Sequence, residues 1–473
     1  MTASGEQRAP KYFLLLATVA LASVLAPLNS TMLAVALPQI RSDFSVGHAE
    51  IGWLVSAYLI AMAVAQPVGG RLGDQLGHGR VFRAGLVAFL ALSLAAAFAP
   101  NFPALILLRT GQALIGAAFI PNGMAMLRQS LPASRLGRSS GITGSAISIS
   151  AAAGPLLGAG LLAAGSWRWL FLMNGPLVVL VLLFAALLRY PDKPARRVEL
   201  DWLGGLVFAA LLASVTLSLN SLGGDASRYT LAAGILGLVV FAALFFQRQF
   251  YTSTPIAEWR LFRNRSFSAA TAFILLTNLV MYTTLLAVPF FVEEVQGKGS
   301  TRTGVLLGAM SGLMVVVSPL SGLLSDVHGR RLPIFAGGLV LVAAVLAVLA
   351  GLDPGVSFAY LGVSLAAFGL ALGLSTGPAQ TAAIEAAPRE MAGTAAGTNS
   401  MMRYLGSIVG AGLLGSFLSS NGGAPGIDTF RLMFAVLAVM AALATLSSLF
   451  IHRFAAEART PVPEPAEAGA TAR

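Results

Sequence analysis

Two arginines sit where a charge is costly. Arg109 lies inside the apolar stretch LILLRTGQALIGAA (105–118), and Arg403 lies inside GTAAGTNSMMRYLGSIVG (393–410). A charge at the middle of a membrane helix costs about 2.5–3.5 kcal/mol on insertion scales, so each guanidinium is expected to face a polar cavity. Arg109 is expected near Gln112 of its own helix and near the polar patch of the first apolar run. Neutral hydrogen-bonding groups occupy other apolar runs: Asn29, Ser30, Thr31, Asn122, Asn278, Tyr282, Gln380 and Asn399. For any one of these, a bond between packed helices is the competing explanation. All of the Asp and Glu residues fall in turns, tails or the ends of apolar runs. A cation entering such a site would lose its hydration and find no fixed negative charge. The chemistry on offer is non-covalent: holding a neutral or anionic amphipathic molecule.

A second set of residues can make and break ion pairs. Residues 70–80 read GRLGDQLGHGR and residues 322–331 read GLLSDVHGRR, both fitting G-x-x-x-D-x-x-G followed by Arg. Each lies between one apolar run and the next. Asp74 and Asp326 can accept from helix N-terminal amides and pair with Arg80 or Arg330. A bond of this kind between two halves would form when that side closes and break when it opens; otherwise the turn fixes only a tight bend. Its recurrence implies that two similar halves were joined. A third cluster, SAAAGPLLGAG (150–160), places Gly154, Pro155 and Gly158 in one run. Proline removes a backbone hydrogen bond and the glycines thin the helix, so a neighbour can pack closely and the pair can bend.

These residues must be carried by membrane helices. The chain is 56% hydrophobic and only 10% charged, against about 25% charge in a soluble domain. A span needs roughly 20 apolar residues. Fourteen runs qualify, at about 12–37, 51–70, 80–99, 102–127, 139–163, 168–188, 202–222, 229–247, 267–292, 303–324, 332–351, 356–383, 394–418 and 430–451. Lys and Arg test the count. With the N-terminus inside, only Arg41, Arg168, Arg228, Lys298, Arg302 and Arg431 fall outside, and almost all other basic residues fall inside. Omitting one span would destroy that asymmetry. The expected architecture is all-α: a six-helix lobe at 1–188, linkers and an inserted two-helix hairpin at 189–265, a six-helix lobe at 266–455, and a disordered cytoplasmic tail at 456–473. Both termini are cytoplasmic, and the hairpin is expected to pack beside the lobes without a ligand role.

Several function classes are excluded. The formal charge of +11 suggests nucleic acid, but the basic residues lie between apolar runs and not on one soluble face. There is no cysteine, and His48, His78, His328 and His452 lie in turns or at span ends, so no thiolate or imidazole metal cluster is expected. An integral-membrane enzyme would need paired acids or histidines near one face. The reading that remains is a two-lobed secondary transporter, acting as a monomer, with the bilayer, a small amphipathic substrate and protons as partners and no cofactor. Arg far outnumbers Lys and Ala and Gly abound, which suggests a GC-rich bacterial genome and the inner membrane.

The ordered motifs resemble the fourteen-helix drug:proton antiporters of the major facilitator superfamily across nearly the whole chain. LNSTMLAVALPQI (28–40) is similar to that family's L-D-x-T-I-V-N-V-A-L-P signature. The two Asp turns, the Arg109 segment, the Gly154-Pro155 segment, WRWLFLMNGP (167–176) and the Arg403 segment follow in the family's order. The resemblance implies the major facilitator fold, proton-coupled export of drugs or antibiotics, a gating role for Asp74 and an antiport role for the Gly154-Pro155 motif. A dedicated exporter of one metabolite or antibiotic is the alternative. The chain departs from the pattern at Asn29, where the family has an acid, and at Ala34, Ser150 and Ala159. Ala151 stands about where tetracycline exporters carry a carboxylate. The groups available to carry a proton are Asp74, Glu50, Glu293, Glu294 and Glu385.

Overall fold

The structure is a computed structural model and describes residues 8–130, 133–188, 201–222, 227–252, 259–388, 391–419 and 426–452. The expected tail at 456–473 and most of the linker before the hairpin lie outside these residues. Every regular element among them is helical: α1 (Arg8–Phe44), α2 (His48–Leu76), α3 (His78–Ala97), α4 (Phe102–Gly116), α5 (Phe119–Ser130), α6 (Ala133–Ala163), α7 (Arg168–Leu172), α8 (Asn174–Leu187), α9 (Trp202–Ser221), α10 (Arg228–Tyr251), α11 (Arg265–Phe290), α12 (Ser300–His328), α13 (Arg331–Ala350), α14 (Phe358–Glu385), α15 (Ala392–Ser419) and α16 (Ile427–Ser448).

The pairs α4–α5 and α7–α8 each continue one rod past a short break, so the helices among the described residues form fourteen rods. Thirteen are long and apolar enough to cross a bilayer. The remaining rod, α6, has 31 residues, but its first half (ASRLGRSSGITG) is polar and its apolar stretch is Ile149–Ala163. The rods outrun the apolar runs that mark them. α1 has 37 residues, about 55 Å of helix against a hydrocarbon core of about 30 Å, so its ends project past the lipid tails.

The helices pack in two groups. α1–α8 contact one another, as do α11–α16, and the groups meet along two seams, α6 with α12 and α2 with α15. α1 and α11 touch at the centre. The two inserted helices differ in place. α9 lies in the α2–α15 seam, where Asn220 donates to the Ala49 carbonyl of α2 at 3.4 Å and a Cβ on Gly415 of α15 would lie 2.5 Å from the Asn220 side-chain oxygen. α10 leans on α9 and exposes Ile235, Leu236, Val239 and Phe246, as a lipid-facing helix must.

Helix alternation places the two Asp turns, after α2 and after α12, at one end of the bundle, here the turn end. The α1–α2 and α11–α12 connections lie at the opposite, far end. Among the described residues the Asp and Glu side chains belong to these ends.

Candidate functional site

At the centre the two groups meet through Ser30 of α1 and Tyr282 of α11, whose hydroxyls are 3.3 Å apart. Arg109 reaches this region from α4. Its Nη2 donates to the Asn29 carbonyl at 3.1 Å, and its guanidinium lies 4.1 Å over the Tyr58 ring and 5.8 Å from that of Phe171. The side chain is 1% exposed. Its Nε and Nη1, like the Asn29 amide nitrogen, have no acceptor. A buried guanidinium with two unpaired nitrogens is held by ring faces and one carbonyl, which stabilise it less than a carboxylate would. Arg403 approaches from α15, its guanidinium 5.5 Å from the Tyr404 ring. Tyr282 lies within electrostatic range of Arg109, Arg403 and Tyr404. The centre therefore combines two arginines with three tyrosines, Tyr58, Tyr282 and Tyr404. Sequence reasoning missed two of these rings because an isolated Tyr in an apolar run carries no spacing signal.

Not every expected polar residue joins the centre. Gln112 turns away from Arg109 and donates to Ser93 at 2.6 Å, and Asn174 donates to the same hydroxyl at 3.0 Å. Residues three apart are neighbours on a helix surface, but Arg109 has only donors and cannot accept from the Gln112 amide, whereas the small Ser93 offers it a buried acceptor. Asn122 is also committed elsewhere, donating to the Gly69 carbonyl at 2.8 Å and facing His78 Nδ1 at 2.8 Å. Thr31 and Asn278 donate to carbonyls of their own helices. Gln380, Asn399 and Arg403 do come together, lining a cavity of about 90 Å³ with Ile274, Ile384 and Ser400. Asn399 Oδ1 is buried there without a donor.

At the turn end, Asp74 lies 3.3 Å from His78 Nε2, so Asp74, His78, Asn122 and the Gly69 carbonyl form one chain of contacts. A side chain on Gly73 would enter it, since a Cβ there would lie 1.7 Å from Asn122 Oδ1. The closing glycines of the repeated motif, Gly77 (φ 97°) and Gly329 (φ 84°), occupy backbone that L side chains rarely adopt, which explains why both turns need Gly. Arg80 is exposed in the first turn of α3. Arg330 bonds Asp326 at 2.6 Å and both Glu385 oxygens at 2.9 and 3.1 Å. The Glu385 bond, followed by that of Asp326, raises the Arg330 pKa above the ordinary guanidinium value and outweighs burial. His78 and Glu385 are thus part of these turns, and the sequence motif marked neither.

Gly154 and Gly158 press α6 onto α1: a Cβ on Gly154 would lie 1.9 Å from Thr31 Oγ1, and one on Gly158 2.8 Å from the Met32 carbonyl. The other side of α6 faces α12, where a Cβ on Gly304 would lie 2.2 Å from Ala159 Cβ and 3.0 Å from the Pro155 carbonyl, and one on Gly308 2.6 Å from Leu156. α6 is therefore held closely on both sides in its far half. The Gly304-x-x-x-Gly308 spacing was readable as a packing motif and was overlooked.

The comparisons agree with this geometry. The Major Facilitator Superfamily matches residues 19–411. The MFS-type transporter YvkA of Bacillus subtilis is 32% identical over 408 residues, covering 86% of this chain and 90% of that one. The multidrug resistance protein Stp of Mycobacterium tuberculosis is 31% identical over 401 residues, 83% of this chain and 73% of that one. The tetracenomycin C resistance and export protein of Streptomyces glaucescens is 29% identical over 432 residues, 89% and 78%. The crystal structure of the D-xylose-proton symporter superposes with a TM-score of 0.68 at 13% identity, covering 93% of this chain and 98% of that one. Fourteen helical rods, a twice-used Asp turn and a match over most of the length lead to one conclusion: the chain is a multi-pass membrane protein of the Major Facilitator Superfamily, a family of secondary transporters and not of enzymes.

Proposed function

We propose that this protein is a proton-coupled exporter of small neutral or anionic amphipathic molecules, drugs or antibiotics among them, of the fourteen-helix drug:proton antiporter family. Residues 1–188 and 266–455 act as the two lobes, rocking about the central Ser30–Tyr282 contact, with the turn end and both termini in the cytoplasm. The observation that carries the substrate class is the central pair of arginines, set among tyrosines and with no ion pair to a carboxylate among the described residues. Arg403, Gln380 and Asn399 meet the polar or anionic end of the substrate, and the aromatic rings meet its apolar body. Arg109 lies behind Tyr58 and strengthens the positive potential of the site without direct contact in this conformation. The close fit of α6 between α1 and α12 supports antiport, since a lobe seam built on glycines permits the packing changes that rocking requires. The printed names of two relatives, one exporting tetracenomycin C and one conferring multidrug resistance, support export.

Efflux of ethidium and of a neutral or anionic antibiotic, measured in one pump-deficient bacterial host with and without a protonophore, tests this reading. The antibiotic should be exported and the protonophore should stop it, while ethidium is exported poorly. Robust ethidium export would overturn the substrate class, and protonophore-insensitive export would overturn the coupling.

A further inference from the structure

The far end of the bundle carries a charge cluster that neither repeated turn explains. Glu294 of the second lobe receives Arg41 Nη2 from α1 at 2.7 Å, and His48 Nε2 from α2 lies 3.0 and 3.3 Å from its two oxygens. Both carboxylate oxygens are thus engaged by two different helices of the opposite lobe. The cluster is largely withdrawn from solvent: Glu294 is 12% exposed, His48 10% and Arg41 29%. The His48 ring packs 5.6 Å from that of Phe290. Glu294 sits in a π-helical turn, Phe291–Val295, that ends the α11 rod. Such turns are rare and recur at functional sites, and this one directs a carboxylate at the facing lobe. Nearby Asp43 is engaged by Trp167 Nε1 at 2.8 Å and Arg168 at 3.6 Å, both of its own lobe, which leaves Glu294 as the acid facing Arg41.

We infer that Glu294 is the latch of the far mouth, holding the lobes together there through Arg41 and His48, and that its release is a required step of each transport cycle. The inference rests on the alternating-access reading above. A bond between lobes at one end exists only while that end is closed. Opening the far mouth must carry α11 away from α1 and α2, so all three contacts break together. A charge-assisted contact withdrawn from water counts for more than an exposed surface pair, so it biases the resting protein towards a closed far mouth. The Arg41, His48 and Glu294 contacts hold neither lobe together internally, so their loss changes the balance of conformations more than it changes folding.

The test uses the whole 473-residue chain, which contains no cysteine, in proteoliposomes with one reporter cysteine at a time. Thr303→Cys reports the far mouth, being buried at the far end of α12, and Ser400→Cys reports the cavity beside Arg403. In Glu294→Gln, labelling of Thr303→Cys by an impermeant maleimide from the far side should rise about threefold to tenfold, the range set by losing one partly buried ion pair. Labelling of Ser400→Cys from the turn side should fall. Arg41→Gln should give the same shift, the double variant should add little to either single change, and Glu294→Asp should restore part of the wild-type pattern. Unchanged labelling in both Gln variants, with a wild-type chain whose two reporters still respond oppositely to substrate, overturns the latch and leaves alternating access standing. Wild-type reporters that never respond to substrate overturn both.

Discussion

At the residue scale, Arg109 separates the demands of folding from those of transport. A buried guanidinium with two unpaired nitrogens contributes little to stability. Arg109→Ala should therefore insert and melt in detergent near the wild-type temperature while losing export, and Arg109→Lys should restore it only in part, because an ammonium keeps the charge but cannot lie as a planar fork over Tyr58. Wild-type efflux by the Ala variant at matched expression would contradict this. Asn29→Asp supplies the missing acceptor: the new carboxylate should pair with Arg109, raise thermal stability, and leave ethidium transport as poor as before. Asp201 offers a pH test. It caps α9 through the Gly204 amide at 2.8 Å and receives Arg248 at 2.6 Å. Burial pushes its pKa up, but the Arg248 and Gly204 bonds prevail and hold it below the ordinary 3.8. Because the folded value is depressed, the stabilisation is complete above the ordinary carboxylate range and is lost only as pH falls through the lowered value. Wild-type melting temperature should drop in that acid window, and Asp201→Asn should start lower and lose that pH dependence.

At the element scale, the two glycine pairs on either side of α6 have different consequences. Gly154 faces α1 within one lobe, against Thr31 and, at 3.1 Å from a built Cβ, the backbone nitrogen of Met32. Overpacking of this kind costs about 1–3 kcal/mol, so Gly154→Ala should lower the melting temperature. Adding Thr31→Ala should recover part of the loss but not all, since the Met32 backbone remains. Gly304 instead faces the other lobe. Gly304→Val should leave the melting temperature of the solubilised protein nearly unchanged and reduce efflux by wedging the seam open at the far mouth. A large fall in melting temperature for Gly304→Val would mean that the seam is part of one fixed core.

At the scale of the whole molecule, orientation and the role of the inserted pair can be tested. Single cysteines replacing Arg80 and His328, in the two repeated turns, should be labelled only from the cytoplasmic face of intact cells. Labelling of either from outside would reverse the proposed sidedness. α9 touches both lobes at the α2–α15 seam, opposite the α6–α12 seam, so it closes a lateral gap between the lobes rather than decorating one of them. The expectation of a hairpin beside the two lobes did not say which helices it would touch, because a uniformly apolar helix shows no stripe that identifies its neighbours.

The sequence determined how many rods there are, where the apolar middle of each lies, and that the chain repeats itself; it did not mark the ends of the longest rods, α1, α2 and α6, which run on past their apolar stretches. These properties follow from local rules: the length of apolar chain needed to cross lipid, and the glycine required by positive φ at Gly77 and Gly329. It also exposed Arg109 and Arg403 as costly charges. Partner choice was decided by tertiary structure alone. Gln112 and Arg109 share a helix, yet one turns to Ser93 and the other to Tyr58, because azimuth and the depth of the facing helix settle which acceptor lies within reach. Asn122 went to His78 of the turn, and Glu294, which reads in sequence as one more acid at a span end, closes on Arg41 and His48 from the opposite lobe. Contacts between residues so far apart along the chain leave no spacing in the sequence, so only the packing of the two helix groups could reveal them.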